Sequence, residues 1–535
     1  MPLFRVPIFA ALVLLLTSAA TFHWLQTPQA RLVMVIRRFW AFYAAGQLLL
    51  AGLVFGSHLF FPANLEFMES TVLQHVLRLS AGLPLYADPA PEFVALAYNP
   101  LFYVLCVPFL RVMGISLTAI RVPAMLAAAG VAVMIFVFVK RQTRSNWWAG
   151  MGVGLFAAAY RLMDCYLDVG HRDSMLALAI LSGFWCLDRG GRLKPYAGMV
   201  LLAAGFWLKQ QGALFLGMGV CHVFWRYGWR QAVPLSIVGL GLGPLLYGFA
   251  PDAWLGARLH YYTYQVPTQW TAFRLGEFSN LARLLTWHYG TLLAVTVWFW
   301  FRGWKRDHEG IWRIAVPGAL LSGAAAMMSP GSNNNVYIPM GVVLIIAGVT
   351  GLARLSRIVG PGQRLAYSLL ALAFAPLIYD PGTVLSKPDA GQAYADLTGM
   401  LRNLDGPAYV PGLGPIYAQS GGDLHQSPLV HVVPMADLVR GPGRDETANP
   451  IVRNLLRTVE NPSAKVAYIV AHSKLEEEPT LAYLALRYRL EEDFGNRFQA
   501  LATLPARHGH LYPRYLYRSI TPAGNGPLAR DSQHE

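Results

Sequence analysis

The sequence predicts an all-α, many-helix membrane domain followed by a small α/β domain. Three observations carry that reading. The 535-residue chain is 55% hydrophobic and only 13% charged, with a mean hydropathy of +0.38, values that belong to polytopic membrane proteins. About twelve apolar windows reach or approach the length that crosses a bilayer. After about residue 385 the composition changes and no such window remains.

The windows fall at 7–25, 40–61, 118–139, 146–161, 173–188, 195–208, 211–224, 232–249, 286–301, 312–328, 335–354 and 364–379. Several are short, and the break at Lys209–Gln211 reads as either a kink or a helix boundary, so about 11–13 transmembrane helices are expected over 1–384. The first window has one Arg and small residues, as a cleaved signal peptide has, but His23 and Trp24 extend it and favour a retained helix.

Orientation follows from the basic connections. Arg31, Arg37 and Arg38, then KRQTR (140–144), RGGRLK (189–194), Arg226 with Arg230, RGWKRDHEGIWR (302–313), and Arg354, Arg357 and Arg364 occupy alternate connections, which places them in the cytoplasm. YNPLFYVLCVPFLRVMG (98–114) breaks the alternation if it spans. Its Pro100, Pro108 and short length suit an interfacial helix, so 62–117 reads as one long external loop.

In the remainder, GQAYADLTGMLRNLD reads as an amphipathic helix and KVAYIVAHS as a buried strand. YLALRYRLEEDF reads as a helix followed by strand-like residues to about 519. Residues 385–520 are thus expected to form an external α/β domain, and 521–535 a disordered tail. The chain is expected in a cell (inner) membrane, with its site and this domain on the external, periplasmic face.

The net charge of +14 is spread in small clusters between apolar segments, so no nucleic-acid partner is expected. Cys106, Cys165, Cys186 and Cys221 lie in or beside apolar segments without CxxC spacing, so neither a disulfide framework nor a zinc site is indicated.

Four polar constellations fall on the external side. In NLEFMESTVLQHVLRLSAG (64–82), Glu66 and Glu69 head an amphipathic helix at the membrane edge, where a carboxylate is either a dipole-favoured cap or a functional group. In LDVGHRDSMLALA (167–179), His171, Arg172 and Asp173 stand close to Asp164 and Asp168, a mixed-sign cluster able to tune a base and hold an anion. Lys209, Gln210 and Gln211 interrupt two apolar runs, so the lysine either snorkels or meets an anion. SPGSNNNVYIP sets Asn335 and Tyr337 at a helix start, where a capped turn is the plain explanation.

Taken in order, an acidic residue heading an external amphipathic helix, GLPLY (82–86), YNPLFY (98–103), HRDSMLALA, WLKQQ and NNNVYIP form a pattern. It resembles the GT-C superfamily of membrane glycosyltransferases that use polyprenyl-phosphate sugars, the class of protein O-mannosyltransferases and lipid A aminoarabinose transferases. The resemblance covers roughly 40–380 and the presence of an external C-terminal domain.

It implies transfer of a sugar from a polyprenyl-phosphate donor to an acceptor hydroxyl on a glycan, glycolipid or protein, with inversion. The family's first motif is Asp-Glu. Alignment on GLPLY sets its Glu at Glu69 and leaves Met68 where Asp stands, so the base role passes to Glu69, with Glu66 its rival and Asp173 its partner or replacement. Lys209 with Gln210, Asn335 with Tyr337, Tyr98 of YNPLFY, and Arg172 with His171 become candidate donor-phosphate and substrate contacts, with Arg258, Arg274 and Arg283 as outsiders. No cofactor is implied, and divalent-metal use stays open because family members differ. Two carboxylates also suit retaining chemistry. A transporter or flippase of lipid-linked sugars is the alternative class, and a ligase using a diphosphate-linked donor a nearer neighbour.

Overall fold

The computed structural model describes residues 30–88, 93–249, 255–270, 273–302, 310–329, 333–358, 361–406, 408–410, 467–477, 485, 488–504 and 511–520. The first window (7–25) and the tail (521–535) lie outside the described residues.

The membrane part is a stack of helices: α1 (Ala30–Leu59), α2 (Glu69–Ser80), α3 (Leu101–Met113), α4 (Thr118–Thr143), α5 (Asn146–Ala158), α6 (Asp173–Arg189), α7 (Lys194–Leu208), α8 (Gly212–Tyr227), α9 (Trp229–Leu240), α10 (Leu275–Arg283), α11 (Gly290–Arg302), α12 (Gly310–Met327), α13 (Ile338–Leu355) and α14 (Pro361–Phe374). Six described helices are long and apolar enough to cross a membrane, and the chain is a multi-pass membrane protein. Between them, α5 to α8 have 13, 17, 15 and 16 residues. At 1.5 Å per residue these fall short of a full bilayer, and polar segments lie beyond their ends.

α13 is the central pillar, with every residue but Arg354 buried. Gly348 and Gly351 let α11 lie close, since a Cβ there would come within 2.8 Å of Leu292 and 2.6 Å of Val295. The region 62–117 holds α2 and the Pro108-containing α3, packed on each other. Leu105 and Val112 of α3 are exposed, as on an interfacial helix.

The basic connections meet at one end. Asp188 accepts Arg141 Nη1 at 2.6 Å and Arg226 Nη1 at 3.0 Å, and Arg357 donates to the Thr143 carbonyl at 2.6 Å. The other ends of α4 and α6, where Arg121 and Asp173 lie, build the polar recess described below.

The C-terminal part has helix α15 (Ala390–Arg402) and four strands, β1 (Ala408–Tyr409), β2 (Tyr468–Ala471), β3 (Tyr488–Asp493) and β4 (Tyr515–Ser519). They form one sheet in the order β1-β2-β4-β3, with β1 parallel to β2 and β4 antiparallel to both neighbours. The helix expected at YLALRYRLEEDF is corrected over 488–493, which is β3. Its residues are exposed from Arg489 to Asp493, as suits an edge strand paired on one side with β4 alone. Leu397, Leu401 and Phe498 share one apolar core with Leu65 and Val384, and Leu504 N–H donates to the Leu65 carbonyl at 2.8 Å. The small domain is therefore bonded to the loop that carries Glu66.

Candidate active site

Glu69 opens α2 and is fully buried. Its Oε1 accepts Arg121 Nε at 2.9 Å and Gly170 N–H at 2.8 Å, while Oε2 accepts Arg121 Nη2 at 2.6 Å and Leu65 N–H at 2.7 Å. Arg121 spends its other donors on the carbonyls of His58, Phe61 and Ala63. A bidentate pair whose donors and acceptors are all occupied is a clasp, and it leaves Glu69 no lone pair free for a substrate proton. Gly170 must be glycine for this contact, because a Cβ would lie 2.5 Å from the Ile120 side chain.

Glu66 lies one helical turn earlier in the same loop and is 3% exposed. Oε2 accepts Met68 N–H at 2.8 Å, whereas Oε1 is buried with no hydrogen-bond partner among the described residues. Burial pushes its carboxyl up to about 8, against the opposing Met68 bond. Facing it are the Arg172 charge and the Tyr166 hydroxyl, which accepts Asn333 Nδ2 at 2.7 Å and is close enough to act on the Glu66 carboxyl as a hydrogen-bond donor; both oppose that rise.

The segment between α5 and α6 delivers the rest. Asp164 and Cys165 both adopt positive φ, 51° and 64°, a strained pair of non-glycine residues of the kind found where geometry matters more than local comfort. Asp164 accepts Asn334 N–H at 2.6 Å, which ties this segment to the Asn-rich turn. Asp168 binds Tyr160 Oη at 2.8 Å and His58 Nδ1 at 2.6 Å, while His58 Nε2 meets the Val384 carbonyl at 2.7 Å. This buried trio anchors the segment to α1.

Asp173, at the start of α6, is the hub. It accepts Lys209 Nζ at 2.7 Å, Asn335 Nδ2 at 2.8 Å and His171 Nδ1. Burial, then the Arg172 charge, pushes His171 down to about 4, so the ring is neutral and its protonated Nδ1 faces Asp173. The bare Nε2 then accepts Arg172 Nη2 at 2.9 Å. Arg172 Nε and Nη1 stay buried without hydrogen-bond partners among the described residues, and Tyr98 stacks on the guanidinium at 3.1 Å from the ring centroid.

Lys209 is not a snorkelling residue. α7 stops at Leu208, Lys209 is extended, and Gly212 folds back so closely that a Cβ would lie 2.3 Å from the Gly205 backbone. The break is thus a boundary between two packed helices and aims Lys209 at Asp173. Gln210 donates to the Ala97 and Thr263 carbonyls at 2.9 and 3.0 Å, so it braces the Tyr98 loop. Tyr337 is buried in the turn beside Asn335.

The structure therefore brings Glu66, Arg172, Tyr98, His171, Asp173, Lys209 and Asn335 into one network. Of the outlying arginines, Arg258 pairs with Asp88 at the surface, Arg283 donates to Asn280, and Arg274 is exposed. Among the described residues no group of three or more His, Cys, Asp or Glu could hold a metal ion. Sequence reasoning missed Arg121, Tyr166 and Tyr103. Arg121 was the most visible of these, the one charged residue in the apolar window 118–139.

No protein-family model matches the chain, and no curated protein matches it. Solved structures do. ArnT from Cupriavidus metallidurans in the apo state aligns at TM-score 0.54 and 12% identity, over 91% of this chain and 98% of that one. The same protein bound to undecaprenyl phosphate aligns at 0.51 and 11%, over 91% and 99%. The oligosaccharyltransferase AglB from Archaeoglobus fulgidus, in complex with an inhibitory peptide and a dolichol-phosphate, aligns at 0.50 and 11%, over 82% and 70%. This chain has the same fold as ArnT and AglB.

Proposed function

We propose that this protein is a glycosyltransferase that moves a sugar from a polyprenyl-phosphate donor to an acceptor hydroxyl at the external face of the membrane, with inversion. One observation carries the reading: an open, buried carboxylate oxygen on Glu66 stands beside an arginine with two open, buried donors. A base and an anion seat side by side are what this transfer needs. The fold supports the donor class, since ArnT is bound to undecaprenyl phosphate.

In the step, the acceptor oxygen attacks the anomeric carbon and its proton passes to Glu66 Oε1. The bond from that carbon to the phosphate oxygen breaks, and its electron pair leaves with the polyprenyl phosphate. Arg172 meets the charge on the departing phosphate. Glu66 thus takes the base role that the motif alignment gave to Glu69, because Glu69 is consumed by Arg121, Gly170 and Leu65. Asp173 holds Lys209, Asn335 and His171 in place, and through His171 fixes Arg172.

The test is transfer from a mixture of polyprenyl-phosphate sugars by the purified, reconstituted protein. Glu66→Gln is expected to lose about 10²–10⁴-fold in turnover. A Glu66→Gln variant as active as wild type removes the reading's base. A wild type that carries the lipid sugar across the bilayer without transferring it favours a flippase.

A further inference from the structure

Asn333 leaves one buried atom unused beside the proposed base. The residue is 5% exposed, its Nδ2 donates to the Tyr166 hydroxyl at 2.7 Å, and its Oδ1 has no hydrogen-bond partner among the described residues. Tyr166 fixes which way this amide points. Its hydroxyl carries one proton and turns it toward Glu66, so it can only accept from Asn333, and the amide oxygen has to face elsewhere. The turn around it is tightly held. Asn334 N–H donates to Asp164 at 2.6 Å, Asn334 Oδ1 accepts Asn280 Nδ2 at 3.0 Å, and Asn335 Nδ2 donates to Asp173 at 2.8 Å. A buried carbonyl oxygen kept bare by such a frame is costly unless a donor arrives.

Glu66 Oε1 is likewise buried without a hydrogen-bond partner among the described residues. Glu66 and Asn333 flank one Tyr166 hydroxyl, so the open oxygens stand about two hydrogen-bond lengths apart. Neighbouring acceptors select a ligand with neighbouring donors. A phosphate brings negative charge and is repelled. A serine or threonine side chain brings a single hydroxyl and leaves one oxygen bare. Adjacent hydroxyls on a sugar ring serve both.

We propose that Asn333 is a specificity-determining contact for the acceptor, and that the acceptor is a sugar whose hydroxyl next to the attacking one donates to Asn333 Oδ1. This rests on the glycosyltransferase reading with Glu66 as base. The attacking hydroxyl gives its proton to Glu66 as its oxygen bonds to the anomeric carbon and the phosphate leaves with the electron pair of the broken bond. The neighbouring hydroxyl keeps its own proton and orients the ring.

The test supplies the reconstituted full-length protein with a mixture of polyprenyl-phosphate sugars and a set of acceptors: octyl hexosides, the same hexosides lacking single hydroxyls, and an octyl-linked peptide containing Ser and Thr. In wild type, loss of the hydroxyl beside the glycosylated one should lower kcat/KM about tenfold. Asn333→Ala should remove that preference, with parent and deoxy sugar reacting within about twofold of each other. Asn333→Asp retains the oxygen and should retain the preference. A folding defect in either variant lowers both acceptors alike and leaves their ratio unchanged.

An undiminished preference in Asn333→Ala, or none in wild type, overturns the seat. Transfer to the peptide in place of the sugars overturns the acceptor class. A wild type that transfers to neither overturns the glycosyltransferase reading, and Glu66→Gln at full activity overturns its base. Both of those failures are seen before any Asn333 variant is compared.

Discussion

Replacing Glu66 by Gln should separate chemistry from folding, because the group proposed as the base is one the folded state holds at a cost. Burial raises its carboxyl from the ordinary 4.5 to about 8. Between those two pH values the folded protein keeps a proton that the unfolded chain has released, so stability falls as pH rises through this window and is level above it. At about 1.36 kcal/mol for each pH unit, the ionised carboxylate costs the folded state up to about 5 kcal/mol. Glu66→Gln lacks that penalty. Thermal unfolding of the detergent-solubilised protein from pH 4 to 9 should therefore show wild type losing stability through the window while the variant does not. The gap should be small near pH 4 and widest at pH 8 and above. In the same range, wild-type kcat/KM should rise about tenfold per pH unit on its acidic limb and level off near pH 8. Parallel unfolding curves for the two proteins, or an acidic limb that levels off near pH 5, would refute the reasoning.

The neighbouring carboxylates should behave in the opposite way. Glu69→Gln strands much of the Arg121 charge and should cost about 3–5 kcal/mol of stability; the protein that stays folded keeps the wild-type pH profile. Asp173→Asn leaves Lys209 without its anion, with a loss of similar size and direction in the same unfolding measurement. Gly170→Ala drives a methyl into Ile120 and should destabilise by about 1–3 kcal/mol. Ile120→Ala in the same chain should return part of that loss, and a double variant no more stable than Gly170→Ala would show that the contact does not matter.

Much of this was legible in the sequence, and the boundary has a physical cause. Apolar windows and alternating basic connections depend on local composition, so the membrane fold and the grouping of polar residues at one end could be read directly. His171, Arg172, Asp173, Lys209 and Asn335 stood out because charge and amide groups are costly beside lipid. Which of Glu66 and Glu69 stays open was not legible. Both sit at one helix start, and the difference is made by Arg121 on another helix and by the Gly170 N–H, contacts that no local pattern encodes. Nor could the sequence say which of the candidate cations Lys209 and Arg172 is tied up, since the bond from Lys209 to Asp173 joins residues 36 positions apart. Around 488 the misreading was local: a short stretch of Leu, Tyr and Arg fits either period until its pairing with β4 decides.

The bond from Leu504 to the Leu65 carbonyl bears on how the small domain is to be studied. Deleting that domain also cuts a tether one residue from Glu66, the proposed base. A truncated protein that no longer transfers sugar would thus say nothing about where the acceptor is recognised. Substitutions on the sheet's outer surface, far from residues 502–504, are the cleaner probe, since they leave the tether whole.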